Sequence, residues 1–177
     1  ASQSGRCDRP DAVLTARLQL VGSCRHEEDA QRLAELRSYA GELGIAEFVE
    51  FHVNVPYPDL VSLLGGAVGG LHTMTDEHFG ISVVEYMAAG VVPIAHASGG
   101  PKADIVQPCQ GPHGQMEASG FLACAAAEYC EAILKVLCME APQRIAMASA
   151  ARQASLRFSE AEFSSAFLGA LLPVLSA

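Results

Sequence analysis

Two carboxylates with an aromatic residue and a glycine between them mark the most chemically loaded stretch of this sequence. Thr73-Met-Thr-Asp-Glu-His-Phe-Gly-Ile-Ser-Val-Val-Glu85 sets Glu77 and Glu85 eight residues apart, with Phe79-Gly80 inside the interval. If a helix opens near Gly80, Glu77 lies in the loop ahead of its first turn and Glu85 about 1.5 turns inside, at about 3.6 residues per turn. The pair then flanks one pocket. Gly80 lets a ligand approach the backbone, and the unpaired N–H groups of residues 79–82 form a positive helix terminus suited to a phosphate or a sugar hydroxyl. Ionised carboxylates accept strong hydrogen bonds from hydroxyl pairs, so the spacing suits a polyhydroxy ligand that carries a diphosphate. Plainer roles stay open for both acids. Glu85 also fits a solvated position on an otherwise apolar helix, and Glu77 a charge favouring the helix dipole, worth about 0.3–1 kcal/mol.

Such a pair needs a strand behind its loop and a helix in front of it. AVGGLHT at 67–73 and VVPIAHA at 91–97 read as strands that bracket the helical run ISVVEYMAA, which Gly90 ends as a C-cap. Upstream, LQLVG at 18–22 and VEFHVN at 49–54 read as strands, the first followed by a helix over 27–44 and the second by a short helix around 59–64. Downstream, GFLAC at 120–124 is a weaker strand, and three apolar-striped helices close the chain. Alternation of this kind predicts an α/β domain, a doubly wound parallel sheet of five strands covered on both faces. Residues 1–17 read as an irregular lead-in, and the domain runs over 18–177. Ligands of such sheets bind at the carboxyl ends of the strands, so the informative loops follow residues 22, 54, 73, 97 and 124. The loop Ser98-Gly-Gly-Pro-Lys102 carries glycines that permit a tight turn at the ligand edge. The stripe Phe158, Phe163, Phe167, Leu171 and Leu172 is best taken as core packing, with the alternative that part of it lies bare as a patch for a partner.

Composition narrows the partners. The chain has 177 residues, half of them apolar, enough for a real core, and 20 acidic against 11 basic side chains give a net charge of -9. Nucleic acid and anionic lipid surfaces are therefore repelled by the molecule as a whole. Six cysteines form no C-x-x-C pair, and a chain of this size needs no disulfide staples, so a reducing compartment is expected. His26, His52, His96 and His113 show no ligand spacing with those cysteines, so no metal site is expected. The longest apolar run, Ile81 to Ala97, is interrupted by Glu85, Gly90 and Pro93, so neither a membrane span nor a signal peptide is expected.

The strings GLHTMTDEHFGISVVEYMAAG and AHASGGPKADIV resemble the C-terminal, donor-binding half of the retaining GT-B glycosyltransferases of family 4. More narrowly, they are similar to the eukaryotic GDP-mannose-dependent alpha-1,2-mannosyltransferases of dolichol-linked oligosaccharide assembly. The likeness runs from about Leu18 to the C-terminus, and LHTM, EHFG and SGGPK together are far more specific than two glutamates at a fixed spacing. The resemblance implies a Rossmann-like fold and assigns roles. Glu77 becomes the catalytic candidate, binding hydroxyls of the donor mannose. The backbone of Phe79, Gly80 and Ile81 would meet the sugar and diphosphate, Glu85 the nucleotide ribose, and His72 would be a further donor contact. Asn54 and Val55 fall near the base, while Gly99, Gly100 and Lys102 border the donor and rank below the glutamate pair. The implied substrate is GDP-mannose, with no cofactor, and the acceptor is a lipid-linked oligosaccharide held by an N-terminal domain that this chain lacks. Also expected to be absent is the opening strand of the donor domain, with the Arg and Lys that neutralise the diphosphate; Arg6 and Arg9 lie in a segment with no matching pattern. Relatives of this kind work at the cytosolic face of the endoplasmic reticulum, whereas this chain alone is expected to be soluble and cytosolic. Two alternatives stand beside this reading: a family 4 transferase with another donor, and a truncated or non-catalytic nucleotide-sugar-binding module.

Overall fold

The computed structural model describes residues 11, 13, 15–110 and 115–175. Most of the expected lead-in, with Arg6 and Arg9, and also His113, lie outside the described residues. The chain divides into two compact units, residues 1–66 and 67–177.

In the first unit, β1 (Leu18–Gly22) and β2 (Val49–Val53) pair in parallel, Leu18 opposite Val49 and Gly22 opposite Val53, with α1 (Glu27–Glu42) between them and α2 (Tyr57–Gly66) after them. Three acids, Glu27, Glu28 and Asp29, open α1, where they complement its dipole. Asp29 accepts the backbone N–H of Arg25 at 3.0 Å, the main cause holding its carboxyl below the ordinary value. At the carboxyl end of β2, Asn54 takes the left-handed conformation at φ 54° that asparagine tolerates. Its amide pairs with the backbone of Cys24, Oδ1 accepting from the Cys24 N–H at 2.9 Å and Nδ2 donating to the Cys24 carbonyl at 3.1 Å.

The second unit carries β3 (Gly69–His72), α3 (Ile81–Ala89), β4 (Val92–His96), a π-helical turn (Pro101–Ile105), β5 (Cys109–Gln110), β6 (Met116–Glu117), β7 (Phe121–Ala123), α4 (Ala126–Cys138), α5 (Ala141–Ser155) and α6 (Glu160–Leu175). Its sheet is parallel throughout, in the order β3-β4-β7. The central strand is buried from Val92 to Ala95, and its side chains feed two layers. Val92 and Ile94 pack with Ala132 and Val136 of α4, whereas Ala95 packs with Val83, Val84 and Met87 of α3 and Ala151 of α5. This is how a strand covered on both faces comes to read as a continuous apolar run. Pro93, which has no N–H, is tolerated at the centre for a specific reason. The N–H of Val92 bonds toward β3, to Val68, and that of Ala97 toward β7, to Ala123, so odd-numbered residues face β7. β7 pairs only from Ile94 onward, and Pro93 sits before that ladder begins.

The parallel pairing and the alternation of strands with helices match the sequence expectation, and Gly90 does close α3 in the left-handed conformation at φ 78°, but the five strands read from the sequence do not form one sheet: β1 and β2 pair by themselves, and β3, β4 and β7 make a separate three-stranded sheet. Two elements were not anticipated: the antiparallel pair β5–β6 and the π-helical turn over 101–105. The core stripe requires correction. Phe158 packs against the α3 cluster, but Phe163, Phe167 and Leu172 on α6 are 68%, 54% and 57% exposed. Apolar spacing marks a face without saying what covers it. The helical run Ala141–Leu175 is long and apolar enough, by length and composition, to cross a membrane. Its first part, however, buries Ala150 and Ala151 in the core, leaving the 16 residues of α6, about 24 Å of helix against the ~30 Å of a hydrocarbon layer.

Candidate functional site

The site is built at the carboxyl end of β3. Gly70 leaves no room for a side chain because the ring of Tyr86 lies against it, and two tyrosines then tie the strand's last carbonyls. Tyr86 donates its hydroxyl to Leu71 at 3.3 Å, and Tyr129 of α4 donates to His72 at 2.9 Å. Burial, with the Glu85 charge adding to it, raises the Tyr86 pKa; burial likewise raises that of Tyr129, so both hydroxyls stay donors.

The acidic loop that follows is held by the loop after β4. The backbone N–H of Asp76, a residue at φ 54°, donates to Ser98 Oγ at 2.8 Å, and that hydroxyl also bonds His96 Nδ1 at 2.7 Å. The N–H of Gly100 donates to the carbonyl of Glu77 at 2.8 Å. Gly99, at φ 53°, and Gly100 lie so close to this loop that a Cβ on either would collide with the backbone of Glu77 or of His78 and Phe79. Phe79 is 41% exposed; its ring meets Phe158 edge-on at 5.4 Å, with the Arg157 guanidinium over the Phe158 ring and bound to Asp104.

Gly80 enters α3 at φ 97°, a conformation a side chain would strain, and Pro101 packs where its Cβ would be. No side chain caps α3, so the N–H groups of its opening turn remain available to an anion. Ile81 and Glu85, both exposed, stand one turn apart on the same helix face. Glu77 is partly buried, and its Oε2 lies 4.0 Å from Nε2 of His72, which is 9% exposed and whose Nδ1 is buried without a hydrogen-bond partner.

Thus His72, Glu77, Phe79 and Gly80 gather around the start of α3, with Gly99 and Gly100 behind them as a brace. Lys102 is exposed on the π-helical turn. Asn54 and Val55 belong to the other unit. Val55 borders a cavity of about 420 Å³ that His52 and Asp59 also line. Sequence reading missed Asp76, His96, Ser98, Tyr86 and Tyr129; only Ser98, beside the two glycines, carried a local signal. Among the described residues, no group of three or more His, Cys, Asp or Glu could hold a metal ion. Cys24, Cys109, Cys124 and Cys130 are free thiols.

This fold is shared with GT-B glycosyltransferases. Sucrose-phosphate synthase from Thermosynechococcus elongatus superposes with a TM-score of 0.74 at 22% identity, over 97% of this chain and 44% of that one. Anabaena HepE in complex with UDP and glucose gives 0.72 at 22% identity, over 92% and 43%. The chain belongs to the family of glycosyl transferases group 1, whose sequence pattern it matches over residues 12–154. Among individual relatives, it is 44% identical over 155 residues to the GDP-Man:Man(3)GlcNAc(2)-PP-Dol alpha-1,2-mannosyltransferase of Homo sapiens, and 42% identical over 163 residues to the protein of that name from Dictyostelium discoideum. Those alignments cover 88% and 92% of this chain, which spans 30% of each relative's length.

Proposed function

We propose that this chain is the donor-binding part of a retaining mannosyltransferase that takes GDP-mannose and delivers mannose, in alpha-1,2 linkage, to a dolichol-linked oligosaccharide. One observation carries the reading: an uncapped helix N-terminus at Gly80 with Glu77 before it and Glu85 on its first turns. The relatives' names supply guanosine, mannose and the lipid-linked acceptor; the resemblance to family 4 transferases suggests the roles of the individual residues, and the uncapped helix terminus between the two acids supports them. The diphosphate lies over the N–H groups of residues 80–82, Glu77 accepts from mannose hydroxyls, and Glu85 accepts from the ribose hydroxyls. When the bond between mannose and the diphosphate breaks, GDP leaves with the electron pair. The charge growing on it faces fixed N–H dipoles that need no reorganisation. The acceptor hydroxyl supplies the new glycosidic oxygen, its proton passing to the departing diphosphate, and is held by the part of the whole protein that corresponds to the remaining length of the relatives. The resemblance to family 4 mannosyltransferases suggests work at the endoplasmic reticulum membrane.

Calorimetric titration of the chain with GDP, GDP-mannose and UDP-glucose tests this reading. GDP and GDP-mannose are expected to bind in preference to UDP-glucose. Glu85→Ala is expected to weaken both guanosine ligands by about tenfold, the scale of a lost charge-assisted hydrogen bond, and Glu77→Ala to weaken GDP-mannose alone. Preference for UDP-glucose would reassign the donor, and full affinity in both variants would remove the glutamates from the site.

A further inference from the structure

We propose that His96 is a positioning residue which, acting through Ser98, sets where Glu77 stands in the donor site. This deepens the donor-site reading above and rests on it. The contacts start in the sheet. His96 ends β4 opposite Ala123 of β7, and the next residue, Ala97, donates its N–H to the Ala123 carbonyl at 2.9 Å, so the imidazole hangs from a paired strand. Two bonds then lock Ser98 to His96: the Ser98 N–H donates to the His96 carbonyl at 2.8 Å, and the Ser98 hydroxyl meets Nδ1 at 2.7 Å. The same hydroxyl oxygen accepts the N–H of Asp76 at 2.8 Å. Proton placement gives this joint a direction, because Ser98 Oγ carries one hydrogen. With that hydrogen on Nδ1, the Asp76 N–H, the hydroxyl and the ring nitrogen each have a partner, and the imidazole holds its own proton on Nε2. The reverse arrangement puts two N–H donors on one oxygen and leaves the hydroxyl hydrogen without an acceptor among the described residues. A donor–acceptor chain of this kind polarises along its length, which strengthens the bond to Asp76.

Glu77 is the residue this joint controls. Asp76 sits at φ 54°, in the left-handed region that aspartate is one of few residues to tolerate, and the bond to Ser98 holds it there. One residue on, the Glu77 carbonyl accepts the N–H of Gly100 at 2.8 Å. The backbone is thus pinned on both sides of the carboxylate-bearing carbon. The Gly100 bond runs from main chain to main chain and depends on no side chain. The Ser98–His96 arm is the one that side-chain chemistry can tighten or release. Holding a binding group in place before the ligand arrives lowers the cost of binding. The entry to α3 is braced separately, by Pro101 packed against Gly80, so the joint governs the sugar end of the site and leaves the diphosphate end alone.

The test is titration of the chain and of its His96→Leu, His96→Asn and Ser98→Ala forms with GDP and with GDP-mannose. Leucine removes the acceptor, whereas asparagine puts a carbonyl oxygen close to where Nδ1 stands. Affinity for GDP is expected to stay within about twofold in every form. Affinity for GDP-mannose is expected to fall about fivefold in the leucine and Ser98→Ala forms, and to return to within about twofold in the asparagine form. In a Glu77→Ala background, His96→Leu is expected to add less than about twofold, because the joint acts only through that carboxylate. Unchanged GDP-mannose affinity in the leucine form, no rescue by asparagine, equal losses for GDP and GDP-mannose, or full additivity with Glu77→Ala would overturn the positioning role while leaving the donor site standing. Failure of the unaltered chain to bind either guanosine ligand would overturn the donor-site reading and this inference with it.

Discussion

Glycine has two distinct uses in this chain, and a single added methyl group separates them. Gly99 sits at φ 53° with the carbonyl of Glu77 directly against its missing side chain, so alanine there must strain its own backbone and push the acidic loop away. Gly41, inside α1, has nothing within 4 Å of the same position and an ordinary helical conformation. Gly99→Ala is therefore expected to cost about 1–3 kcal/mol and to weaken nucleotide-sugar binding, whereas Gly41→Ala should add about 0.5–1 kcal/mol of stability. Chemical denaturation of both variants checks the contrast; equal effects of the two changes would show that the loop after β4 does not brace Glu77. The sequence could not reveal this use. SGGPK reads as a loop with freedom to turn, and only the fold shows that its glycines are small so that Glu77, His78 and Phe79 can lie against them. The His72–Glu77 approach is hidden in the same way, since five residues of loop spacing carry no periodicity from which a distance follows.

At the level of elements, strand and helix identities were readable because they depend on local pattern. Leu18–Gly22 is a short apolar run, Val49–Val53 alternates apolar residues with Glu50 and His52, and the three closing helices repeat apolar residues at helical spacing. β5 and β6, two residues each, contain too few positions to show a period, and the π-helical turn arises where Pro101 and Ile105 plug the core beside Gly80. The start of α4 offers a measurable case of local design. Glu128 turns back to accept the N–H groups of Cys124 at 2.6 Å and Ala125 at 3.1 Å, and these bonds hold its carboxyl below the ordinary value. A lowered folded-state pKa stabilises above the unfolded value, and that contribution is lost as pH falls through the folded one. Glu128→Ala should therefore melt below the unaltered protein near neutral pH, with the gap closing once the pH drops beneath the usual glutamate range of about 4.3. A gap that persists unchanged into strong acid would mean that the carboxylate does not cap α4.

For the molecule as a whole, a net charge of -9 and an α/β architecture could be read from composition and pattern, and both agree with a domain that takes a small phosphorylated ligand at one positive spot. The exposed apolar face of α6 could not, because helical periodicity in Phe163 and Phe167 is the same whether the rings are buried or bare. The account depends on a nucleotide sugar lying across the start of α3. A crystal structure of the chain with GDP-mannose tests that most directly. The donor-site reading places the diphosphate on the N–H groups of residues 80–82, mannose hydroxyls on Glu77 and the ribose on Glu85. A nucleotide bound away from Gly80, or one whose sugar does not touch Glu77, would contradict it.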